Sequence, residues 1–315
     1  MKAAVIRKYG KPEVLSIADM PEPVPGPREV KIRVVATSVN PVDWKIRSGM
    51  LALISGWKFP RILGGDFSGE VLACGSAVTD LRPGDPVYGL SPAMGRAGAY
   101  AEILCCAAGQ AAPKPATLNH HQSAAIPLAA STACQALYRE GRMRPGMRVL
   151  VTGATGGVGH FAVQIAKAAG CHVTGVCHSR NAALARQFGC DEVLPYDKES
   201  FLDGRSRYDL IFDAAAKNRY FSSRSKLTAK GTYVTTMPMP GILLAHAFSF
   251  LPGKRGRFVG VVSNRADLEF LAGLADRGEL KPYIEHEFPL EEIAAAHALS
   301  ETEKVRGKIV VSITG

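Results

Sequence analysis

Between residues 149 and 177 apolar runs and glycines follow one another in a single order. Val149, Leu150 and Val151 form a short apolar run. Glycines follow at 153, 156, 157 and 159. Apolar residues at helical spacing then begin at Phe161 and close at Gly170, and a second apolar run covers residues 172–177. A short run without polar positions predicts a strand covered on both faces. Helical spacing closed by glycine predicts a helix with its C-terminal cap. The segment therefore predicts a βαβ unit with glycines at its first turn. Glycine lets the backbone turn tightly, lets a pyrophosphate approach, and lets the helix pack close to the strand. The helix start adds free N–H groups and partial positive charge. Gly153, Ala154, Thr155, Gly156, Gly157, Val158 and Gly159 are thus candidate holders of a dinucleotide. A glycine turn with no ligand is the alternative, and the strand–turn–helix context favours the ligand.

The alternation continues downstream. Residues 182–188 read as helix, 192–195 as a short strand and 208–214 as a buried strand. Residues 219–229 read as helix, and 231–236 and 257–262 as strands. An amphipathic helix over 266–277 ends at Gly278, and a helix over 290–299 precedes a last strand over 308–313. Strand and helix in turn imply a doubly wound parallel sheet. Upstream the texture differs. Strands are expected over 2–7 and 30–36, joined through the proline-dense stretch from Met20 to Pro27, which is an extended connector. Residues 37–49 read as a loop opened by Pro41 and holding Asn40 and Asp43. Short β segments with glycine and proline turns over 62–90, and a strand over 98–105, predict a small barrel-like β domain. Residues 119–137 are helical with a proline break. His120 and His121 are adjacent, so on a helix they point apart and suit a helix start better than a chelate.

At 315 residues the chain is long enough for two domains. No apolar run reaches the roughly 18–20 residues of a membrane span; the longest, over residues 241–251, contains His246. Charges interrupt the N-terminus too early for a signal peptide. The seven cysteines are odd in number and scattered, with no Cys-x-x-Cys pair. Reduced thiols and a cytoplasmic location are expected. The net charge of +10 raises nucleic acid or an anionic surface as a partner. Lysine and arginine are nevertheless spread along the chain, and no run alternates basic with aromatic residues. Nucleic acid is not the partner this pattern favours.

Cofactor choice is read where the second strand of the βαβ unit ends. An NAD enzyme usually places an acid there for the ribose 2′-hydroxyl. Here the residues are Cys177-His-Ser-Arg-Asn181. His178, Ser179 and Arg180 can instead receive a 2′-phosphate as charge-assisted donors, which favours NADPH. The alternative is that Arg180 only starts a helix at the surface. No Tyr-x-x-x-Lys pair and no Gly-x-Ser-x-Gly elbow occur, which argues against short-chain dehydrogenase and hydrolase chemistry.

Six motifs together resemble the medium-chain dehydrogenase/reductase superfamily, in its zinc-independent quinone oxidoreductase branch. They are Ser38-Val-Asn-Pro-Val-Asp-Trp-Lys-Ile-Arg-Ser-Gly49, Gly64-Gly-Asp-Phe-Ser-Gly69, Pro83-Gly-Asp-Pro-Val87, Ala130-Ser-Thr-Ala-Cys-Gln-Ala-Leu137, Gly153-Ala-Thr-Gly-Gly-Val-Gly159 and Arg306-Gly-Lys-Ile-Val310. The resemblance implies an α/β chain: a GroES-like β domain over residues 1–122 and 281–315, a Rossmann domain with a doubly wound parallel sheet over 123–280, and an active site in the cleft between them. Zinc-dependent relatives carry Cys where Asn40 stands, a His-Glu pair at Gly65 and Asp66, and a third ligand near Leu128. None of these residues makes a zinc shell here, so no metal is expected.

The resemblance also implies residue roles. Tyr196 falls near the phosphate of the adenosine half and Thr132 on the nicotinamide side. Asn40, Ala214, Val259 and Lys308 are further cofactor positions. Asn40 is the candidate to hydrogen-bond the substrate oxygen or the nicotinamide. Asp43 orders its loop with Lys45, or takes a direct part in proton transfer. Without zinc a simple ketone is hard to polarise, whereas conjugation in a quinone or an enone stabilises the developing charge. The expected activity is hydride transfer from NADPH to a quinone or an α,β-unsaturated carbonyl, in a homodimer paired through residues 257–262. The alternative is an NADPH-binding interaction or nucleic-acid-binding protein of the same fold with little catalysis.

Overall fold

A computed structural model describes residues 1–91, 98–248 and 253–313. The chain divides into two compact units. The first is Met1–Leu128 with Ser263–Arg277 and Pro282–Gly315, and the second is Ala129–Val262 with Gly278–Lys281. The first unit opens with β1 (Lys2–Ile6), β2 (Ser16–Asp19) and β3 (Glu29–Val39), then α1 (Pro41–Arg47) and α2 (Ala52–Ser55). Next come β4 (Arg61–Ile62), β5 (Asp66–Cys74), β6 (Pro86–Leu90), β7 (Ile103–Ala107), β8 (Ala111–Pro113) and α3 (His120–Ala124). Helix α4 (Pro127–Cys134) and a π-helical turn (Gln135–Glu140) lead into the second unit. That unit holds β9 (Arg148–Thr152), α5 (Gly159–Ala168), β10 (His172–Cys177), α6 (Ala182–Gln187), β11 (Glu192–Pro195) and β12 (Tyr208–Asp213). It continues with α7 (Tyr220–Ser223), β13 (Leu227–Thr235), α8 (Pro240–Ala247) and β14 (Arg255–Phe258). The chain returns to the first unit through α9 (Arg265–Asp276), β15 (Ile284–Pro289), α10 (Ile293–Glu301) and β16 (Lys308–Ser312).

The second unit is a parallel sheet in the order β11-β10-β9-β12-β13-β14. Counted in order of appearance this is the 3-2-1-4-5-6 arrangement of a dinucleotide-binding fold, with the reversal between β9 and β12. Val149, Leu150 and Val151 are fully buried, as a strand with both faces covered requires. Each such side chain contributes roughly 1.5–3 kcal/mol of burial.

In the first unit β3 is the organising strand. It pairs with β16, β5 and β7, all antiparallel. Val30, Ile32 and Val34 point into one core with Phe67, Val71 and Leu104. The alternate Lys31 and Arg33 reach solvent-side partners, Glu22 and Glu70. A second core gathers β1, Ile46, Tyr100, Ile293 and Val311.

Several segments differ from the sequence expectation. Residues 37–49 are no loop: β3 runs on to Val39, and α1 starts at Pro41. The signal was present, since Asn40 is the N-cap, Pro41 the first helical residue and Asp43 the N3 partner of a capping box. The backbone N–H of Asn40 donates to Asp43 Oδ2 at 2.8 Å. Residues 219–229 form only one α-helical turn, α7, before a tight turn and β13, which begins at Leu227. The strand expected over 98–105 starts only at Ile103. The strand expected over 257–262 is β14, ending at Phe258, after which Val259 makes one last bond to the Thr235 carbonyl. Strands β2 and β15 have too few buried positions to show an alternating pattern. Helix α9 follows the last parallel strand in sequence, yet it belongs with the first unit, where the Tyr88 hydroxyl donates to the Leu268 carbonyl.

Candidate cofactor and active-site residues

The glycine turn leaves β9 at Thr152 and enters α5 at Gly159. Gly153 takes φ +61°, a left-handed conformation that favours glycine. A Cβ on Gly159 would stand 2.0 Å from the Gly153 carbonyl oxygen, so no side chain fits there. Ala154 N–H donates to the Val176 carbonyl, which ties the turn to β10. Val158 at the N-cap supplies no side-chain bond to the helix, so the first N–H groups lack the usual side-chain acceptor. A bare helix start behind a turn that requires glycine at 153 and 159 fits a pyrophosphate. His160 is fully buried, and its Nδ1 donates to the Gly156 carbonyl at 2.9 Å, pinning the turn. Nothing in the sequence singles out that role.

Because the strands are parallel, every strand of this sheet ends on one edge. Gly153 follows β9, His178 to Arg180 follow β10, Tyr196 follows β11, Ala214 follows β12 and Val259 follows β14. The reversal of strand order makes this edge the ligand crevice of such folds. Thr132 lies on α4 and is buried. After β10, the His178 ring accepts from Arg180 N–H and caps a short 3-10 turn, Ser179–Asn181. The Arg180 residue itself is exposed. The His178 and Tyr196 rings meet edge to face at 5.7 Å. Sequence reading found no acid here, and none is adjacent in sequence. The structure brings one from the turn after the next strand: Asp197 accepts from Ser179 N–H at 2.7 Å and from Ser179 Oγ at 2.6 Å.

The other candidates belong to the first unit, where strand register assembles them. β16 pairs Ile309 with Val39, which sets Lys308 beside Asn40. β5 pairs Phe67 with Thr37, which sets Asp66 beside Ser38. Lys308 Nζ donates to Asn40 Oδ1 at 2.5 Å and lies 3.4 Å from Asp66 Oδ2. Asn40 Nδ2 donates to Asp66 Oδ2 at 2.8 Å. Ser38 Oγ also donates to Asp66, and Leu128 N–H donates to its other oxygen at 2.7 Å. Asn40, Asp66 and Lys308 are all buried. Burial lowers the Lys308 ammonium, while Asp66 and Asp43 work to keep it charged.

Asp43 continues the network. Its Oδ2 accepts from Tyr100 OH at 3.0 Å as well as from the Asn40 backbone. Tyr100 OH lies 3.1 Å from His297 Nε2 on α10. Burial raises the Asp43 carboxyl to about 7, and Asp66 nearby adds to the rise. Burial drives the His297 imidazole down to about 3. Lys45 does not join Asp43; its ammonium sits 5.4 Å from the Trp44 ring centroid. Asp66, Tyr100 and His297 are the partners that sequence reading did not find, because they come from separate elements.

The sheet order and the glycine turn are those of a dinucleotide-binding fold. A model of the alcohol dehydrogenase GroES-like domain matches residues 26–116, and a zinc-binding dehydrogenase model matches residues 188–311. The human mitochondrial NAD(P)H oxidoreductase RTN4IP1 is 32% identical over 354 residues, covering 99% of this chain and 89% of its own length. The quinone oxidoreductase of Coxiella burnetii superposes with a TM-score of 0.91 at 32% identity, covering 100% of this chain and 99% of its own. The Escherichia coli quinone oxidoreductase complexed with NADPH gives a TM-score of 0.83 at 25% identity, covering 99% and 100%. The chain belongs to the medium-chain dehydrogenase/reductase superfamily, among the relatives named quinone oxidoreductases, and is an NAD(P)H-dependent oxidoreductase.

One matching family description names zinc, and the donor set here does not suit it. Among the described residues no group of three or more His, Cys, Asp and Glu is placed to hold a metal ion. Asn40 and Asp66 already surround the Lys308 ammonium, which would repel a dication, and one amide with one carboxylate lacks the imidazole or thiolate shell of catalytic zinc. The glycine cradle, by contrast, fits a dinucleotide.

Proposed function

We propose that this chain transfers a hydride from NADPH to a quinone or an α,β-unsaturated carbonyl, without a metal ion. The observation that carries the reading is the turn between β9 and α5, which requires glycine at 153 and 159, with Ser179 and the exposed Arg180 on the same sheet edge. When bound, NADPH supplies the hydride. Residues Gly153, Ala154, Thr155, Gly156, Gly157, Val158 and Gly159 hold its pyrophosphate through backbone N–H groups. His178, Ser179, Arg180 and Tyr196 take the adenosine half with its 2′-phosphate, and Thr132, Ala214 and Val259 the nicotinamide half. The relatives named quinone oxidoreductases, one of them complexed with NADPH, support this assignment.

Asn40 holds the substrate oxygen or the nicotinamide through its remaining Nδ2 hydrogen, since the other is donated to Asp66 and Lys308 donates to the amide oxygen. Lys308 then serves by fixing Asn40, and Asp43 by capping α1 beneath it. The acceptor must carry its own conjugation, because no Lewis acid assists. A homodimer through the β14 edge and a cytoplasmic location complete the proposal; among the described residues no two cysteines form a disulfide, which suits a reducing compartment.

The test is a panel of acceptors. Full-length protein with NADPH would be given a naphthoquinone, an ortho-quinone, an alkenal and a vinyl ketone, following reduced-nicotinamide absorbance. Turnover is expected with at least one. Tight NADPH binding without turnover on any acceptor would instead support a binding protein that uses the same fold.

A further inference from the structure

We propose that Asp197 sets the cofactor preference of this chain, as a displaceable carboxylate that weighs against the 2′-phosphate. The inference rests on the cofactor site assigned above. The parallel ladder ends with Cys177 opposite Pro195, and Ser179 and Asp197 meet in the turns just beyond it. Ser179 donates twice, through its N–H at 2.7 Å and its hydroxyl at 2.6 Å, to the two oxygens of the Asp197 carboxylate. His178 Nδ1 lies 3.7 Å from the same group. The Ser179 bonds hold the Asp197 carboxyl below the usual carboxylate range, so it is charged at neutral pH. About a quarter of the side chain is exposed (27%), so a ligand can reach it.

A 2′-phosphate needs donors, and here the Ser179 amide and hydroxyl are already spent on an anion. The phosphate must displace Asp197 from both bonds and then accept a carboxylate nearby. The exposed Arg180, one residue beyond Ser179, supplies the positive charge that offsets that penalty. A ribose 2′-hydroxyl needs an acceptor, which Asp197 can provide as it stands. The chain therefore carries a phosphate-favouring group and a phosphate-opposing group at one site. Its preference for NADPH is smaller than Arg180 alone would give.

The experiment is titration calorimetry of the full chain with NADP⁺ and with NAD⁺, for the wild type, Asp197→Asn, Asp197→Ser and Arg180→Ala. Removing a unit charge near a phosphate should tighten NADP⁺ binding by about tenfold at low salt, with less gain at high salt. NAD⁺ binding should stay level or weaken. The Ser variant should move the ratio in the same direction as the Asn variant. An unchanged NADP⁺/NAD⁺ ratio in both Asp197 variants overturns the proposal. A wild type that binds NAD⁺ better, with a ratio that still moves toward NADP⁺ on Asp197→Asn, would leave the proposal standing and remove the NADPH reading. A wild type that prefers NADP⁺, with no movement on Asp197→Asn, would do the reverse. Arg180→Ala should weaken NADP⁺ alone.

Discussion

Lys308 donates to the Oδ1 of Asn40 at 2.5 Å across 268 positions of sequence. Both residues are buried, and the same ammonium faces Asp66. The last strand of the chain thus fixes the amide that precedes α1.

Removing the ammonium should leave the buried Asp66 side chain without its cation. Lys308→Met should cost about 3–5 kcal/mol of unfolding free energy. Lys308→Met combined with Asp66→Asn should recover part of that loss. Urea unfolding of the three proteins measures both numbers. Equal stability of Lys308→Met and the wild type would show that the ion pair carries nothing.

Asp43 and His297 should pull stability in opposite directions as pH changes. Asp43 titrates near 3.8 unfolded and at about 7 folded. The fold holds the extra proton in between, and the stability it confers is lost as pH rises through about 7. His297 falls from 6.5 unfolded to about 3 folded. Its contribution is present above 6.5 and is lost as pH falls toward about 3. Between about pH 4 and 6.5 the slopes oppose, each up to about 1.4 kcal/mol per pH unit. Asp43→Asn should give stability that rises with pH over this span, and His297→Gln stability that falls. The wild type should be flatter than either. Parallel profiles for all three would refute the pairing.

Gly159→Ala should cost the cofactor more than Gly156→Ala. The added Cβ meets the Gly153 carbonyl oxygen at 2.0 Å in the first case and at 3.3 Å in the second. The first must push the turn open, and the second needs a few tenths of an ångström. NADPH affinity is expected to fall at least about 100-fold for Gly159→Ala and only severalfold for Gly156→Ala, since a misplacement near 1 Å costs on that scale. Equal losses would mean that the cradle geometry is not what holds the dinucleotide.

A chelator should leave turnover unchanged. Added zinc should not raise it, because the Lys308 ammonium sits between the nearest oxygen donors. A chelator-sensitive rate restored by zinc would place a metal in the reaction.

What was legible in the sequence is what lies close together along it. Strand β9, the glycine turn, α5 and β10 are contiguous, and their apolar spacing gives each element its type. α1 was equally local, with Asn40, Pro41 and Asp43 in capping positions; there the turn-forming preference of Asn and Pro masked a helix start. The network around Asn40 was not legible, because strand register brings Asp66 and Lys308 to it while Tyr100 comes from the segment before β7 and His297 from α10. Asp197 was hidden for a similar reason. It is 18 residues beyond Ser179, and only parallel pairing of β10 with β11 returns it to the same edge.

The first unit is assembled from both ends of the chain, and β16 is its last strand to be synthesised. While the ribosome is still making residues 308–312, β3 has no neighbour on that side, and Asp66 has no cation. The parallel sheet is by then fully translated. Until β16 is made, Asn40 has no lysine on its oxygen, so the last strand to leave the ribosome is the one that locks the amide.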